Sequence, residues 1–353
     1  LIAALTRADS AYLGGYVFLL TLVAVVPAHK LVALLVIAAS LATFSVAGYF
    51  KGMSFQTTEA RYGFQNLLSA ASVAVVFIFL LDKMRFTSWL KSRTIEGQAR
   101  ELQSDKERID KLLLNILPAN VAGELKDKGC VLPVFYPSVT IVFTDFIGFT
   151  KIAEKLTPDQ LVSALDELFS KFDRVMDKYG LEKLKTIGDS YMYAAGLPLA
   201  NHTHAIDALL GAIEIRSLVD AANREKIGLG RPIFEIRIGI HTGSVMAGVV
   251  GEKKFVYDVW GDSVNLASRM ESSGEKGKIN ISDATYTRVK DLFEIEERGR
   301  IPVKNKGELR MYFVKRIKAH YSADIDGLVP NDHFYRRYQS CSKKQEEEDV
   351  LAN

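Results

Sequence analysis

The chain has 353 residues, 48% of them hydrophobic, and its charges are nearly balanced, with 45 Lys and Arg against 42 Asp and Glu. This length accommodates two or three domains, and the balanced charge gives no indication of nucleic acid as a partner. A wholly disordered chain and a collagen-like repeat are excluded by the composition. Only two cysteines are present, in different regions, which excludes a disulfide-stapled mini-protein and favours a reducing compartment.

The apolar residues are concentrated at the N-terminus, where residues 1–81 carry only six charged side chains. Three uncharged stretches of twenty residues each lie at 10–29, 31–50 and 62–81. Twenty residues suffice for a helix to cross a hydrocarbon core of about 30 Å. The sequence therefore predicts an N-terminal α-helical transmembrane bundle in the lipid bilayer. A buried helical hairpin of a soluble domain is the alternative.

Basic residues are more frequent after the third apolar stretch than before it. The four that follow it are Lys83, Arg85, Lys91 and Arg93. The positive-inside rule then predicts a multi-pass cell-membrane protein whose C-terminal part is cytoplasmic, which places Leu1 outside. Because the chain begins in an apolar run without Met, we expect upstream residues and further spans. The spans carry no ionisable residue that marks an ion path, so we expect an anchor, or a receptor for an unknown ligand or partner.

Residues 82–128 are predicted to form a cytoplasmic connector helix. Its apolar residues Ile95, Leu102, Ile109 and Ile116 recur at every seventh position, which indicates half of a coiled-coil seam. The other half of the seam is weak, so the pattern fits either a marginal parallel dimer helix or a single solvated helix. Pro118 is expected to end or kink the helix.

A β-branched apolar segment at 137–150 predicts a buried strand that ends at Asp145, with an amphipathic helix after it at 158–179. An Asp at such a point can hold a cation. The backbone amides of 147–150, around Gly148, can receive phosphate oxygens. Taken alone, an Asp at such a point is more often a turn or helix-cap residue than a metal ligand.

The segment 182–198 predicts a hairpin with Asp189 at its tip. Together with Asp145, this residue would place two carboxylates on neighbouring strand ends. Such an open oxygen site is typical of Mg²⁺ or Mn²⁺. Histidines and cysteines are too few and too scattered to indicate a zinc site.

A third segment begins with a strand that contains Arg237 and continues through a Gly-rich turn and a second strand to a helix. We expect Asp262 or Ser263 to cap this helix. Asn265 and Arg269 lie four positions apart, so they share one helix face, where an amide and a guanidinium could address one ligand. A solvated helix face with no ligand is the alternative.

Five motifs follow one another along the chain: FTDFIGFT, KLKTIGDSYM, RIGIHTG, YDVWGDSVNLASRM and VKNKGELRMYFV. Over 137–317 they resemble the catalytic domain of class III nucleotide cyclases. The N-terminal part is similar to that of membrane-bound bacterial-type adenylyl cyclases. The resemblance implies a ferredoxin-like α/β (α+β) catalytic domain, which we place at 129–318. It also implies a head-to-tail homodimer, joined through this domain and the connector helix, with two nucleotide sites at the interface.

The resemblance implies a role for each candidate site residue. The ligands of two Mg²⁺ or Mn²⁺ ions per active site would be Asp145, Asp189 and the backbone of Ile147. Phosphate-binding groups of the same chain would be Arg237 and the segment Phe146, Ile147, Gly148, Phe149 and Thr150. The partner chain would supply the purine-reading pair Lys185 and Asp258, the transition-state pair Asn265 and Arg269, and Lys304 on the triphosphate.

The purine-reading pair predicts which base is bound. Lys185 donates and Asp258 accepts, which matches the N1 acceptor and N6 donor of adenine and opposes guanine. We therefore expect an adenylyl cyclase that converts ATP to cyclic AMP and pyrophosphate. One alternative is an ATP-binding regulatory module. Another is a diguanylate cyclase-like transferase, which would require a GGDEF-like hairpin where this chain has TIGDSYM.

The last segment, 319–353, is predicted to be a disordered tail, because it ends in a run of charged residues. Arg336 and Arg337 leave a second interpretation open, in which this segment docks on the cyclase domain or on lipid.

Overall fold

The computed structural model describes residues 29–50, 58–228, 233–251, 253–303 and 306–341. The chain divides into two compact units between Ile109 and Asp110. All but the last residue of the first apolar stretch, 10–29, lies outside the described residues.

The N-terminal unit contains helix α1 (Lys30–Phe50) and most of helix α2 (Thr58–Leu114). Their contact is a cluster of buried apolar side chains, and small residues such as Ala33 and Ala74 allow the two helices to approach closely. Among the described residues, one helix, within α2, is long and apolar enough to span a membrane. The apolar part of α1 is shorter, so the described residues do not establish the predicted bundle.

The connector helix is interrupted where its proline predicts. Helix α2 ends at Leu114, and helix α3 (Ala119–Lys128) begins directly after Pro118, which confirms the predicted break. The four heptad residues named above are each 61–72% exposed in the single chain.

The C-terminal unit is built on one mixed sheet of eight strands. The strands are β1 (Val134–Ile147), β2 (Glu182–Ile187), β3 (Ser190–Ala195), β4 (Glu235–Val250), β5 (Val256–Trp260), β6 (Ile279–Ser282), β7 (Phe293–Val303) and β8 (Gly307–Ile317). Their order is β2-β3-β1-β4-β6-β8-β7, and β5 pairs with β4. Only the β4–β6 pair is parallel among these pairs.

The helices of this unit cover both faces of the sheet. Besides α3, they include α4 (Phe149–Ala153), α5 (Pro158–Tyr179), α6 (His204–Gly228), α7 (Asp262–Ser272) and α8 (Asp283–Val289). Successive side chains of a strand point to opposite faces. Val142 accordingly packs in the core that contains α5 and α6, whereas Ile141 and Phe143 pack in the core with α3 and α7. A strand buried on both faces reads as a continuous apolar run, as β1 does.

Local signals fix several boundaries. Helix α5 begins and ends as predicted because Thr157 and Gln160 form a capping box and Gly180 closes the helix at φ 61°. The predicted hairpin is confirmed as β2–β3, whose turn contains Gly188 at φ 64° and Asp189.

The predicted order of strand, turn, second strand to Trp260 and helix is confirmed: β4 runs unbroken through Gly239 and Gly243 to Val250, and β5 follows from Val256. The two glycines inside β4 serve close packing: a Cβ at Gly239 would lie 1.9 Å from the backbone nitrogen of Glu271 in α7. The N-cap of α7 is Gly261, so the predicted cap is wrong, and the Ser263 hydroxyl instead donates to the Ser244 carbonyl at 2.8 Å.

Residues 319–341 are folded, so the predicted disorder is wrong for this part of the tail; residues 342–353 lie outside the described residues. Residues 332–341 are helical, and Phe334 is fully buried in the core that contains α5 and α6. The Tyr338 hydroxyl donates to Asp207 at 2.7 Å. The prediction failed because Phe334 and Tyr338, four positions apart on one helix face, outweigh the local charge.

Candidate active site

A partly buried ion-pair cluster lies where β1 and β4 pair. Asp145 and Arg237 are opposite each other in the two strands, and an Arg237 Nη2 donates to Asp145 Oδ2 at 2.7 Å. The Nε of Arg237 contacts Glu271 at the end of α7. Burial by itself would lower the pKa of Arg237, but the two carboxylates outweigh it and raise this pKa. The guanidinium therefore stays charged and fixed between two acids.

The second candidate metal carboxylate lies beside this cluster. The hairpin β2–β3 carries Asp189 in its turn, and the pairing of Thr144 with Tyr191 sets that turn next to Asp145. Burial raises the pKa of Asp189, and the charge of Asp145 raises it further, although amide hydrogen bonds from Asp189 itself and Phe146 oppose the shift. The structure thus brings the two predicted carboxylates together.

Two adjacent carboxylates that repel each other fit a hard divalent cation. The residues that would hold Mg²⁺ or Mn²⁺ are Asp145, Asp189 and the backbone carbonyl of Ile147. Within the described ranges, no group of three or more His, Cys, Asp or Glu side chains surrounds a common point. Water and phosphate oxygens would therefore have to complete the coordination.

The predicted phosphate-binding turn follows β1 directly. Gly148 adopts φ 70° and precedes the five-residue helix α4, whose first amides, at Phe149 and Thr150, have no intrahelical partner. The side chain of Phe146 is buried in the core, with its ring 5.2 Å from that of Phe234. Any contact of Phe146 with a ligand would therefore come from its backbone.

The predicted purine-reading pair is assembled within one chain. Lys185 in β2 and Asp258 in β5 are 73 positions apart, and the lysine ammonium lies 2.5 Å from Asp258 Oδ2. The other carboxylate oxygen accepts from the Val259 amide at 2.9 Å. The Asp258 side chain is 14% exposed and that of Lys185 36%, so a donor and an acceptor stand together at a partly open surface.

Asn265 and Arg269 both lie on α7, where Asn265 is exposed and Arg269 is half-buried. Neither side chain makes a hydrogen bond or ion pair with any residue that the structure describes. Lys304 lies outside the described residues.

Sequence reasoning missed Glu271, which is 8% exposed. Burial raises its pKa to about 7, with a further contribution from Asp145 that Arg237 opposes. A signal for this residue did exist: an arginine inside an apolar strand needs a buried anion. Nothing in the sequence indicated which acid would supply it.

Residues 133–316 match the family of the adenylate and guanylate cyclase catalytic domain. The match covers just over half of the chain, which therefore belongs to this family. The C-terminal unit is a class III nucleotide cyclase domain, as the motifs predicted.

An adenylate cyclase of Mycobacterium tuberculosis is 39% identical over 248 residues, which are 69% of this chain and 55% of that protein. Guanylyl cyclase C of Sus scrofa is 38% identical over 243 residues, which are 68% of this chain and 22% of that protein. The chain therefore spans about half or less of these curated relatives. The solved structure of the guanylyl cyclase Cya2 is 28% identical, with a TM-score of 0.50, and the match covers 54% of this chain and 97% of that one. These similarities identify a nucleotide cyclase without choosing the base.

Proposed function

We propose that the protein is a membrane-bound adenylyl cyclase that converts ATP to 3′,5′-cyclic AMP and pyrophosphate. The observation that carries the choice of ATP is the contact of Lys185 with Asp258. Adenine offers an acceptor at N1 and a donor at N6, so both side chains find a complementary partner. Guanine instead has a donor at N1 and an acceptor at O6, so its donor would face the lysine and its acceptor would face the carboxylate. A site with such mismatched polar groups strongly rejects the wrong base.

The chain's own residues supply positioning and charge. Bound at Asp145 and Asp189, two Mg²⁺ or Mn²⁺ ions would lower the pKa of the ribose 3′-hydroxyl and hold the triphosphate. Arg237 would bind the leaving phosphates. Asn265 would orient the ribose, and Arg269 would stabilise the charge that develops at the α-phosphate.

We infer that each active site is shared between two copies of the chain. The free side chains of Asn265 and Arg269 support this arrangement, because their own chain gives them no polar partner among the described residues. The exposed heptad residues support pairing of the connector helices, since apolar side chains at this spacing are typically covered in a dimer. Single cysteines placed at Leu102 or Ile109 should then form a disulfide between two chains, and the absence of a cross-linked dimer at both positions would contradict the pairing.

The N-terminal unit would anchor the enzyme in the cell membrane as a multi-pass segment, with the catalytic domain in the cytoplasm, and would sense an unknown ligand or partner. Large apolar side chains on its surface support contact with lipid: Leu35 is 68% exposed and Val76 56%. The apolar stretch within α2 is of membrane-spanning length.

The test is a turnover assay on the detergent-purified full chain with Mn²⁺, comparing ATP with GTP. Wild-type protein should make cyclic AMP from ATP and far less product from GTP. Asp145→Ala should abolish turnover, whereas Asp127→Ala, which changes an exposed acid in α3, should not. ATP binding without product would favour the regulatory module. Preferential use of GTP would overturn the base assignment.

A further inference from the structure

The C-terminal end of α7 is fixed to the sheet in two ways. Its backbone at Glu271 lies against Gly239 of β4, so closely that a side chain at that position could not fit. The carboxylate of Glu271 also contacts Arg237 of the same strand. Helix and strand are therefore held together both by packing and by charge.

The two acids on Arg237 differ in how accessible they are. The side chain of Glu271 is 10% exposed, whereas that of Asp145 is 22% exposed and next to Asp189. A ligand that binds Asp145 can therefore take the place of Asp145 at Nη2 of Arg237. Glu271 contacts Nε and leaves Nη2 available, so Glu271 stays in contact with the guanidinium when the ligand is bound.

Helix α7, which carries Glu271 in its last turn, also carries Asn265 and Arg269, and it is only eleven residues long. A short helix moves as a rigid element, so a shift at its last turn also shifts these two side chains. In the shared arrangement of the proposed function, they serve one active site, whereas Arg237 and Asp145 of the same chain serve the other.

We propose that Glu271 is a positioning residue that connects the two active sites of the dimer. It holds Arg237 for the phosphates of one site and orients α7, with Asn265 and Arg269, for the other site. This inference rests on the proposed function, because it requires sites shared between two chains.

Mixed dimers can separate the two effects. Two full-length chains with different tags, one with Asp145→Ala and the other with Arg269→Ala, are co-expressed and purified through both tags. Each mixed dimer keeps one intact site, which takes its metal carboxylates from the Arg269→Ala chain and its α7 helix from the Asp145→Ala chain. Glu271→Gln is then added to one chain or the other. Glu275→Gln is the control, because that acid is half-exposed and pairs with Lys278.

In the Arg269→Ala chain, Glu271→Gln should raise the KM for ATP about tenfold with little change in kcat, the scale of one lost charge-assisted hydrogen bond. In the Asp145→Ala chain, it should instead lower kcat about tenfold with little change in KM. Glu271→Asp, which keeps the charge, should restore part of each loss. Glu275→Gln should change neither constant.

Equal losses from both placements, together with a lower melting temperature, would show a purely structural role and overturn the proposal. No loss from either placement would also overturn it. If the parent mixed dimer is inactive while the wild-type homodimer is active, the shared-site arrangement itself is wrong.

Discussion

Phe334 provides a direct test of whether the segment after the last strand belongs to the catalytic fold. Its ring is fully buried and makes edge-to-face contacts with Phe293, at a centroid distance of 5.9 Å, and with Tyr321, at 6.5 Å. Phe334→Ala removes the ring and leaves a cavity lined by these aromatic neighbours.

The expected cost follows from that burial. Replacing a buried Phe by Ala costs about 3–5 kcal/mol, from lost apolar burial and the cavity left behind. Domains of this size lose about 2–4 °C in melting temperature per kcal/mol. The catalytic unit should therefore melt about 6–20 °C lower in the Phe334→Ala variant.

The assay is thermal unfolding of the detergent-solubilised full chain, followed through the temperature at which half of the cyclase activity is lost. Gln339→Ala, on an exposed position of the same helix, is the control and should stay within about 0.5 kcal/mol of wild type. If the Phe334→Ala variant had the same melting temperature as the control, residues 319–341 would not be docked on the domain in solution, and the argument from burial would be refuted.

Three further predictions concern substrate, catalysis and pH. Lys185→Glu combined with Asp258→Cys should shift the preference from ATP towards GTP in an initial-rate assay; unchanged ATP selectivity would refute the base assignment. Arg269→Ala should lower kcat by about 10²–10³ with little change in KM, and a change in KM alone would be inconsistent with its transition-state role. Burial, with Arg288 adding to it, lowers the pKa of His204 from 6.5 to about 4, so the unfolded chain binds the extra proton between these values. Stability should therefore fall by about 3 kcal/mol as the pH drops through this window, and His204→Gln should flatten the profile measured by denaturant unfolding.

Local signals made part of the fold predictable. Helix α5 carries its own start and stop residues, and the β2–β3 hairpin carries a glycine at its turn. The reason that strand β4 carries Gly239 and Gly243 was not predictable: both positions must lack a side chain to admit α7. That requirement is set by a neighbour distant in sequence, which local patterns do not contain.

The site was predictable to a different extent for each residue. Asp145 and Asp189 were suggested by their positions at strand ends, and the structure sets them side by side. The pairing of Lys185 with Asp258 followed only from the family resemblance, because 73 residues separate them and no periodicity links them. Glu271 was missed because its significance depends on a half-buried partner, Arg237, which lies in strand β4 and is distant in sequence.

Gly239 bears on how inactive relatives of this domain can be recognised. A single methyl group there would force α7 off the strand while leaving every acid, arginine and lysine of the site unchanged. A sequence comparison that checks only the charged and hydrogen-bonding residues would classify such a chain as an active enzyme. For this fold, the absence of a side chain at one position on β4 is as much a requirement for an assembled site as the side chains themselves.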